Sequence, residues 1–348
     1  MKSARLLLIP LSWIYGGAVV LRNWLFDIGV LQTREVNVPV VAVGNVASGG
    51  VGKTPFVAMT ALLLRTAGLK VAVISRGYGR RSRGYQVVSN GMQRCAEAWT
   101  AGDEPAELAD ALDGVVVAVG EKRVPAAQNV IRSFNPDVIV LDDAFQHRAI
   151  GRNLNVALVT AADALNGNWL IPAGNRREPL SSLRRADLVV VTRCTDARVY
   201  AAAKHRLERF GRPVAGVMTV ASTLVRSSTG EAVSPGTMSG QRAVAFSGIG
   251  DPAAFEWTMN ELGVEIAEHV QFRDHHWFTG GDIETIKEAF RRAAANIVLT
   301  TAKDVVRLRE KFSDSFLGRY PVYTVRIEQR FIAGHEIYEE MLRSAVRR

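Results

Sequence analysis

Short apolar runs recur along the chain, each ending in glycine or polar residues: VNVPVVAVGNV, KVAVISRGYG, GVVVAVG, PDVIVLDDAFQH, LNVALVT and ADLVVVTRC. Runs filled with β-branched residues, without polar alternation, predict strands buried on both faces, as in a parallel sheet. Between them lie stretches with helical spacing such as PFVAMTALLLRTAG, so the predicted fold is α/β, a mostly parallel sheet flanked by helices. A second series, RAVAFSGIG, EIAEHVQF, NIVLTTAKD and YPVYTVRI, predicts a smaller C-terminal α/β domain. The polar, Ser/Thr/Gly-rich stretch ASTLVRSSTGEAVSPGTMSGQR between the two series reads as a linker or a β-ribbon. The expected organisation is an N-terminal apolar segment at 1–30, a core domain at 31–220, the linker at 221–242 and the C-terminal domain at 243–348.

One loop gives the core domain its chemistry. VASGGVGKTP follows the first strand and opens a helix, the setting in which a Gly-rich turn aims backbone N–H groups at phosphates. Ala47, Ser48, Gly49, Gly50, Val51 and Gly52 form the turn, Lys53 supplies the positive charge, and Thr54 supplies a hydroxyl for Mg²⁺. The strict pattern has glycine where Ala47 stands. The core is therefore a P-loop NTPase-type domain, with an ATP phosphate and Mg²⁺ as its expected ligands.

The N-terminus differs from the rest. Leu6 to Leu21 carries no charge, with Lys2 and Arg5 before it, Arg22 after it, and Trp13, Tyr15 and Trp24 interspersed. That is shorter than the ~20 apolar residues of a spanning helix, and basic flanks with aromatic residues suit a helix lying in a membrane interface. The alternative is a helix packed in the core. Pro10 and the pair Gly16-Gly17 are expected to interrupt a long straight helix. No A-x-A site follows, which argues against a cleaved signal peptide.

Composition narrows the partners. With 48% hydrophobic and 22% charged residues in 348, the chain has ample material for a core. Its two cysteines have no metal-ligand spacing, and a reducing compartment fits them. The formal charge of +9 favours anionic partners. Tyr78 and Tyr85 alone accompany the basic cluster SRGYGRRSRG, too few aromatic residues for stacking on bases, so nucleic acid is not expected.

Acidic residues stand where strands end. VIVLDD delivers Asp142 and Asp143 in the manner of a Walker B strand, with neighbouring side chains pointing to opposite faces. AGDEP places Asp103 and Glu104 before a helix, as a proton acceptor or as a simple helix cap. FRDHHWF sets His275 and His276 beside Asp274, without the further ligands a zinc site requires. Arg76 and Arg123, nearest the strand ends, are the candidate phosphate ligands.

In this order, VAVGNVASGGVGKTP, ISRGYGRRSRG, GDEP, VGEKR, LDDAFQHR, IPAGNRREPL, FRDHHWF and TTAKDVVRL resemble the tetraacyldisaccharide 4′-kinase (lipid A 4′-kinase) family over nearly the whole chain. The resemblance implies a lipid kinase at the cytoplasmic face of the bacterial inner membrane, transferring the γ-phosphoryl of ATP to the 4′-hydroxyl of a tetraacylated glucosamine disaccharide 1-phosphate. It implies a catalytic dyad of Asp103 and His275, with Asp142 and Asp143 catalytic as well. Metal contacts are implied at Thr54, Glu104, Asp142, Asp143 and Glu178. Arg76, Arg123, His147 and Arg177 are implied in substrate binding, and an anionic membrane surface as partner. Two positions depart from the family pattern: Ala144 replaces a glycine in LDDAFQH, and Asn175-Arg176 replaces the usual pair before REP.

A membrane-bound ATPase switch of the MinD/ParA type is the rival. Its loop requires a lysine where Ser48 stands. A guanine-nucleotide switch lacks its N-K-x-D, since residues 301–304 read TAKD. A kinase of a soluble metabolite would require the N-terminal segment to be core.

Overall fold

A computed structural model describes residues 7–347; the expected basic flank of Lys2 and Arg5 lies outside them. The first half of the chain comprises α1 (Ile9–Asp27), β1 (Val40–Asn45), α2 (Lys53–Thr66), β2 (Val71–Ser75), β3 (Gln86–Asn90), α3 (Ala98–Ala101) and α4 (Asp103–Ala111). It continues through β4 (Val116–Val119), α5 (Arg123–Phe134), β5 (Val138–Leu141), β6 (Leu154–Thr160), α6 (Ala161–Leu165), β7 (Leu188–Thr192) and α7 (Ala197–Leu207). Then follow β8 (Val214–Arg226), β9 (Ala232–Val233), β10 (Arg242–Ser247), α8 (Pro252–Glu261), β11 (Glu265–Gln271) and α9 (Gly280–Arg292). β12 (Ile297–Thr301), α10 (Ala302–Phe312), β13 (Val322–Ala333) and α11 (His335–Val346) complete the chain.

Among the described residues, 13 strands form one sheet in the order β11-β10-β12-β13-β8-β7-β6-β1-β5-β2-β4-β3, with β9 paired to β8. From β4 through β8 the pairing is parallel, and β3 adds an antiparallel edge. β11, β10, β12 and β13 form a second parallel block. The two blocks meet at one antiparallel pair, β13 on β8, running from Tyr323 opposite Arg226 to Ala333 opposite Gly216. Each apolar run of the sequence is a strand, and β1, β2, β5, β6 and β7 are buried throughout. The stretch 221–242 holds the end of β8, β9 and a short 3₁₀ turn at Pro235–Met238. Its polar composition fits a half-buried strand, and its long-range partner β13 is not visible in local pattern.

The last helix departs from the sequence division, which grouped it with residues 243–348. Tyr338, Leu342 and Ala345 of α11 join Phe56, Val57, Ala61 and Leu64 of α2 in the core of the first block. The Tyr338 ring lies 5.3 Å from Phe56, and its hydroxyl is 2.6 Å from that of Thr60.

Helix α1 is continuous over 19 residues, contrary to the expected interruption. Pro10 sits in the first turn, where no intrahelical N–H bond is lost. Gly16 lets the helix approach its support, since a Cβ there would stand 2.7 Å from Leu170 Cδ1. Among the described residues no helix is long and apolar enough to cross a membrane.

β1 lies between β5 and β6, and β10 between β11 and β12. At such points the connections leave to opposite sides and open a crevice beyond the strand ends, where ligands bind. The P-loop follows β1.

Candidate active site

The P-loop is held from two sides. Its turn uses glycines at positive φ, 109° at Gly49 and 79° at Gly52, the N-cap of α2. Thr192, at the end of β7, donates to Val51 O at 2.8 Å, and Ala47 pairs antiparallel with Arg176. Ser48 N donates to Asn175 O at 2.7 Å, and Arg177 N to Val46 O at 2.7 Å. The 172–179 loop thus lies along the P-loop. Its unusual Arg176 turns the other way, onto the carbonyls of Asp163 and Asn168.

The two Walker B acids have separate environments. Asp143 takes a left-handed φ of 50°, a conformation that Asp tolerates better than most residues. Ala144 has no positive φ, so alanine serves where the family has glycine. Arg177 Nη1 reaches both Asp143 oxygens at 2.9 Å, and Lys53 Nζ stands 3.5 Å away. Although burial opposes its charge, Lys53 and Arg177 hold the Asp143 carboxyl below its usual range. Asp142 is buried; its Oδ2 accepts from Ser75 Oγ at 2.7 Å, while its Oδ1 is buried without a partner among the described residues. Burial, with Glu104 and Asp143 nearby, pushes its carboxyl up to about 6.

A buried carboxylate oxygen left unpartnered calls for a cation. The free Oδ1 of Asp142 fits a ligand of Mg²⁺, which takes one or two carboxylates together with phosphate and water oxygens; Glu104, although paired with Lys303, is the carboxylate near enough to raise the Asp142 pKa. Two members of the expected metal set are otherwise occupied. Both oxygens of Asp143 face Arg177. Glu178 is 1% exposed; both its oxygens accept from Arg185, at 2.6 and 2.7 Å, and one also accepts from Asn23 Nδ2. It is a structural carboxylate that ties α1 to the loop, a use that REP alone does not reveal.

Asp103 and His275, expected as a pair, are joined. Asp103 opens α4, preceded by Gly102 at φ 98°, and its Oδ1 accepts from Glu104 N at 2.9 Å. Its Oδ2 lies 2.7 Å from His275 Nδ1. Burial opposes the Asp103 charge, but the His275 hydrogen bond and the charges of Lys303 and Arg307 prevail and bring it to about 2. An ionised carboxylate only accepts, so Nδ1–H is the donor. The same bond raises the His275 pKa. Glu104 is held at 2.7 Å by Lys303, which its acidic neighbours keep protonated in spite of burial.

The arginines expected to grip phosphate separate into two kinds. Arg76 is exposed at the end of β2. Arg123 is not available: it is 1% exposed, and its guanidinium donates to Gly120 O at 2.6 Å and Asp142 O at 2.9 Å. Its part is to fix the Walker B backbone. His147 is half-buried; burial, then Arg123, Arg152, Arg22 and Arg76, hold its imidazole neutral with a pKa of about 4. Four arginines thus surround the His147 imidazole near the DD turn.

Helix α1 touches this machinery directly. Ser12 Oγ donates to Leu170 O at 2.8 Å, Tyr15 to Arg177 O at 2.9 Å, and Arg22 to Gln146 O at 2.6 Å. Gln146 in turn donates to Asn45 O at the head of the P-loop. Trp13, Ile14, Val20, Leu21 and Trp24 are each more than half exposed, so one helix face seats the catalytic loops and another is apolar and open.

The fold brings three further residues to the site. Arg193, just past β7, packs beside Gly50 and pairs with Asp251; its place at a strand end was a usable signal. Gln329 of β13 approaches Gly52, and nothing local marks it. Arg307 stands in TTAKDVVRL, a run noted for resemblance alone.

A P-loop at a sheet switch point, a Walker B pair and an Asp–His couple at a helix start define a P-loop phosphotransferase. Over residues 4–347 the sequence matches the profile of the tetraacyldisaccharide-1-P 4′-kinase family. The chain belongs to that family. It is 36% identical to a tetraacyldisaccharide 4′-kinase of Chlorobium limicola, covering 98% of this chain and 97% of that one. It is 41% identical to that of Geobacter metallireducens over 87% and 88%. Its fold is similar to a crystal structure of LpxK from Aquifex aeolicus in complex with ATP, with a TM-score of 0.79, 31% identity and 99% of each chain covered.

Proposed function

We propose that the chain is a lipid kinase that transfers the γ-phosphoryl group of ATP to the 4′-hydroxyl of a tetraacylated glucosamine disaccharide 1-phosphate, giving lipid IVA. The observation that carries this reading is the Asp103–His275 couple beside Glu104, which is close enough to Asp142 to perturb it. A proton acceptor and a P-loop site thereby share one crevice. In this reading the backbone N–H groups of Gly49, Gly50, Gly52 and Lys53 and the Lys53 ammonium face the ATP phosphates, while Ser48 N–H and Val51 N–H hold the loop in shape through Asn175 O and Gly49 O. Asp142, Thr54 and Glu104 would hold Mg²⁺, which when bound would neutralise charge on the transferring phosphate. Asp103 orients the 4′-hydroxyl and accepts its proton as the new P–O bond forms and the bond from the γ-phosphorus to the β,γ-bridging oxygen breaks, ADP leaving, and His275 fixes the Asp103 carboxylate. Arg177 keeps Asp143 beside Lys53. Arg76, exposed at the end of β2, and the cationic surroundings of His147 receive the sugar 1-phosphate, where an exposed guanidinium favours an anion.

The open apolar face of α1, with Trp13 and Trp24, supports docking on an anionic membrane at the cytoplasmic face of the inner membrane, which would bring the crevice to the acylated substrate. Ser48 argues against the dimeric ATPase switch, because its hydroxyl accepts from Arg177 Nε at 3.2 Å and belongs to the loop's own support. Purified protein with γ-labelled ATP and the disaccharide 1-phosphate tests the reading. Label in the lipid, dependent on Mg²⁺, is expected; ATP hydrolysis unaffected by lipid, with no labelled lipid, would overturn it.

A further inference from the structure

We propose that Arg307 is a positioning residue for the phosphoryl transfer, fixing the turn that carries His275 so that its ring meets Asp103. This rests on the reading of Asp103 and His275 as the catalytic couple.

His275 has a backbone φ of 57°, the left-handed region that side chains other than glycine, Asn and Asp avoid. A histidine stays there only if its surroundings hold it. Its own N–H donates to Gly248 O at 3.1 Å. Arg307 Nη2 donates to the same carbonyl at 2.9 Å, and Nη1 to His276 O, the next carbonyl along the turn, at 3.0 Å. The arginine thus holds the turn directly at His276 O and, through Gly248 O, at the N–H of the strained residue.

The clamp is itself fixed. The Arg307 side chain is fully buried, and Nη2 also donates to Asp304 Oδ1 at 3.0 Å. That same oxygen accepts from Gly248 N at 2.9 Å, so Asp304 and Arg307 grip both peptide groups of the β10 loop. Nε is bonded to Lys303 O at 3.1 Å and lies 3.7 Å from Asp103 Oδ2. One planar group therefore touches the β10 loop, the histidine turn and the carboxylate that the histidine must meet. Gly248 leaves no slack, since a Cβ there would stand 3.2 Å from both Arg273 O and His276 Cβ. A lysine has a single nitrogen and cannot span these acceptors in one plane.

The test compares Arg307→Lys, which keeps the charge beside Asp304, with the pair Arg307→Gln/Asp304→Asn, which removes both buried charges together. Each is made in wild-type and His275→Ala backgrounds. Steady-state kinetics with ATP and the lipid acceptor are combined with ¹⁵N histidine NMR, the His275 signal being the one lost in His275→Ala. Arg307→Lys is expected to lower kcat by roughly tenfold or more while KM for ATP stays within about twofold. The His275 ring signal shifts, His276 on the same turn is free to move with it, and the signals of His147, His205, His269 and His335 hold. In the His275→Ala background the same change costs less than about twofold further. Wild-type kcat in both variants, an equal loss in the two backgrounds, or an unmoved His275 signal would overturn the proposal. Full activity of His275→Ala itself would instead show that the couple is misassigned, and the Arg307 role would fall with it.

Discussion

Asp103 and His275 are 172 residues apart in sequence, yet Oδ2 of one lies 2.7 Å from Nδ1 of the other. The carboxylate comes from the first block of the sheet and the imidazole from the turn after β11 in the second, so the couple exists only while the two blocks are in register. Asp103→Ala and His275→Ala are each expected to lower turnover by roughly 10²-fold with ATP binding largely kept, and the double variant should lose little more than the worse single one. Kinetics on the four proteins measure this; fully multiplicative losses would mean independent roles.

The same bond sets a pH dependence of stability. His275 has its pKa raised above 6.5 in the folded protein. Its contribution is fully present below the unfolded value and is lost as pH rises through the folded one. Asp103 is depressed from 3.8 to about 2, so its share is present above 3.8 and lost as pH falls toward 2. The melting-temperature difference between wild type and His275→Ala should be largest between roughly pH 4 and 6.5 and shrink above that. A difference that grows toward pH 9 in thermal scans would contradict the assignment.

Lys53, the lysine of the P-loop, stands 3.5 Å from Asp143. Lys53→Ala should cost about 3 kcal/mol of transition-state stabilisation, on the order of 10²-fold in kcat, with the melting temperature little changed. Asp142→Asn should raise the Mg²⁺ concentration needed for half-maximal rate and weaken the thermal shift given by Mg-ATP. A variant that titrates with Mg²⁺ like wild type would remove Asp142 from the metal site.

Helix α1 has two faces, and its variants should separate them. Trp13→Ser/Trp24→Ser should reduce binding to anionic vesicles while leaving the melting temperature near wild type. Arg22→Ala, which frees Gln146 from its bond to the helix, should lower kcat without changing vesicle binding. Co-sedimentation and kinetics on the two proteins check this, and equal effects on both readouts would refute the division.

The Tyr338 hydroxyl, 2.6 Å from that of Thr60, predicts a cost of about 1 kcal/mol for Tyr338→Phe. Tyr338→Ala, which empties the space against Phe56, should cost about 3 to 5 kcal/mol. Urea unfolding measures both.

Residue order alone determined the parallel strands of the first block, because a strand buried on both faces must be apolar throughout. It also determined the P-loop, since glycines, lysine and threonine act there through a contiguous backbone. The Walker B pair was legible for the same reason, and Asp103 and His275 through a family pattern. Only the tertiary structure decided the rest. Arg123 and Glu178 look like ligands in a string of letters, but burial commits them to Gly120, Asp142, Asn23 and Arg185. The polar stretch after residue 220 is partly strand because β13, about a hundred residues later, supplies its hydrogen bonds. Helix α11 lies on the first block because Phe56 and Thr60 offer Tyr338 an apolar wall and a hydroxyl. Arg307 acquires its place from carbonyls at 248 and 276. Contacts between distant residues depend on how the sheet brings strand ends together, and local composition does not encode that distance.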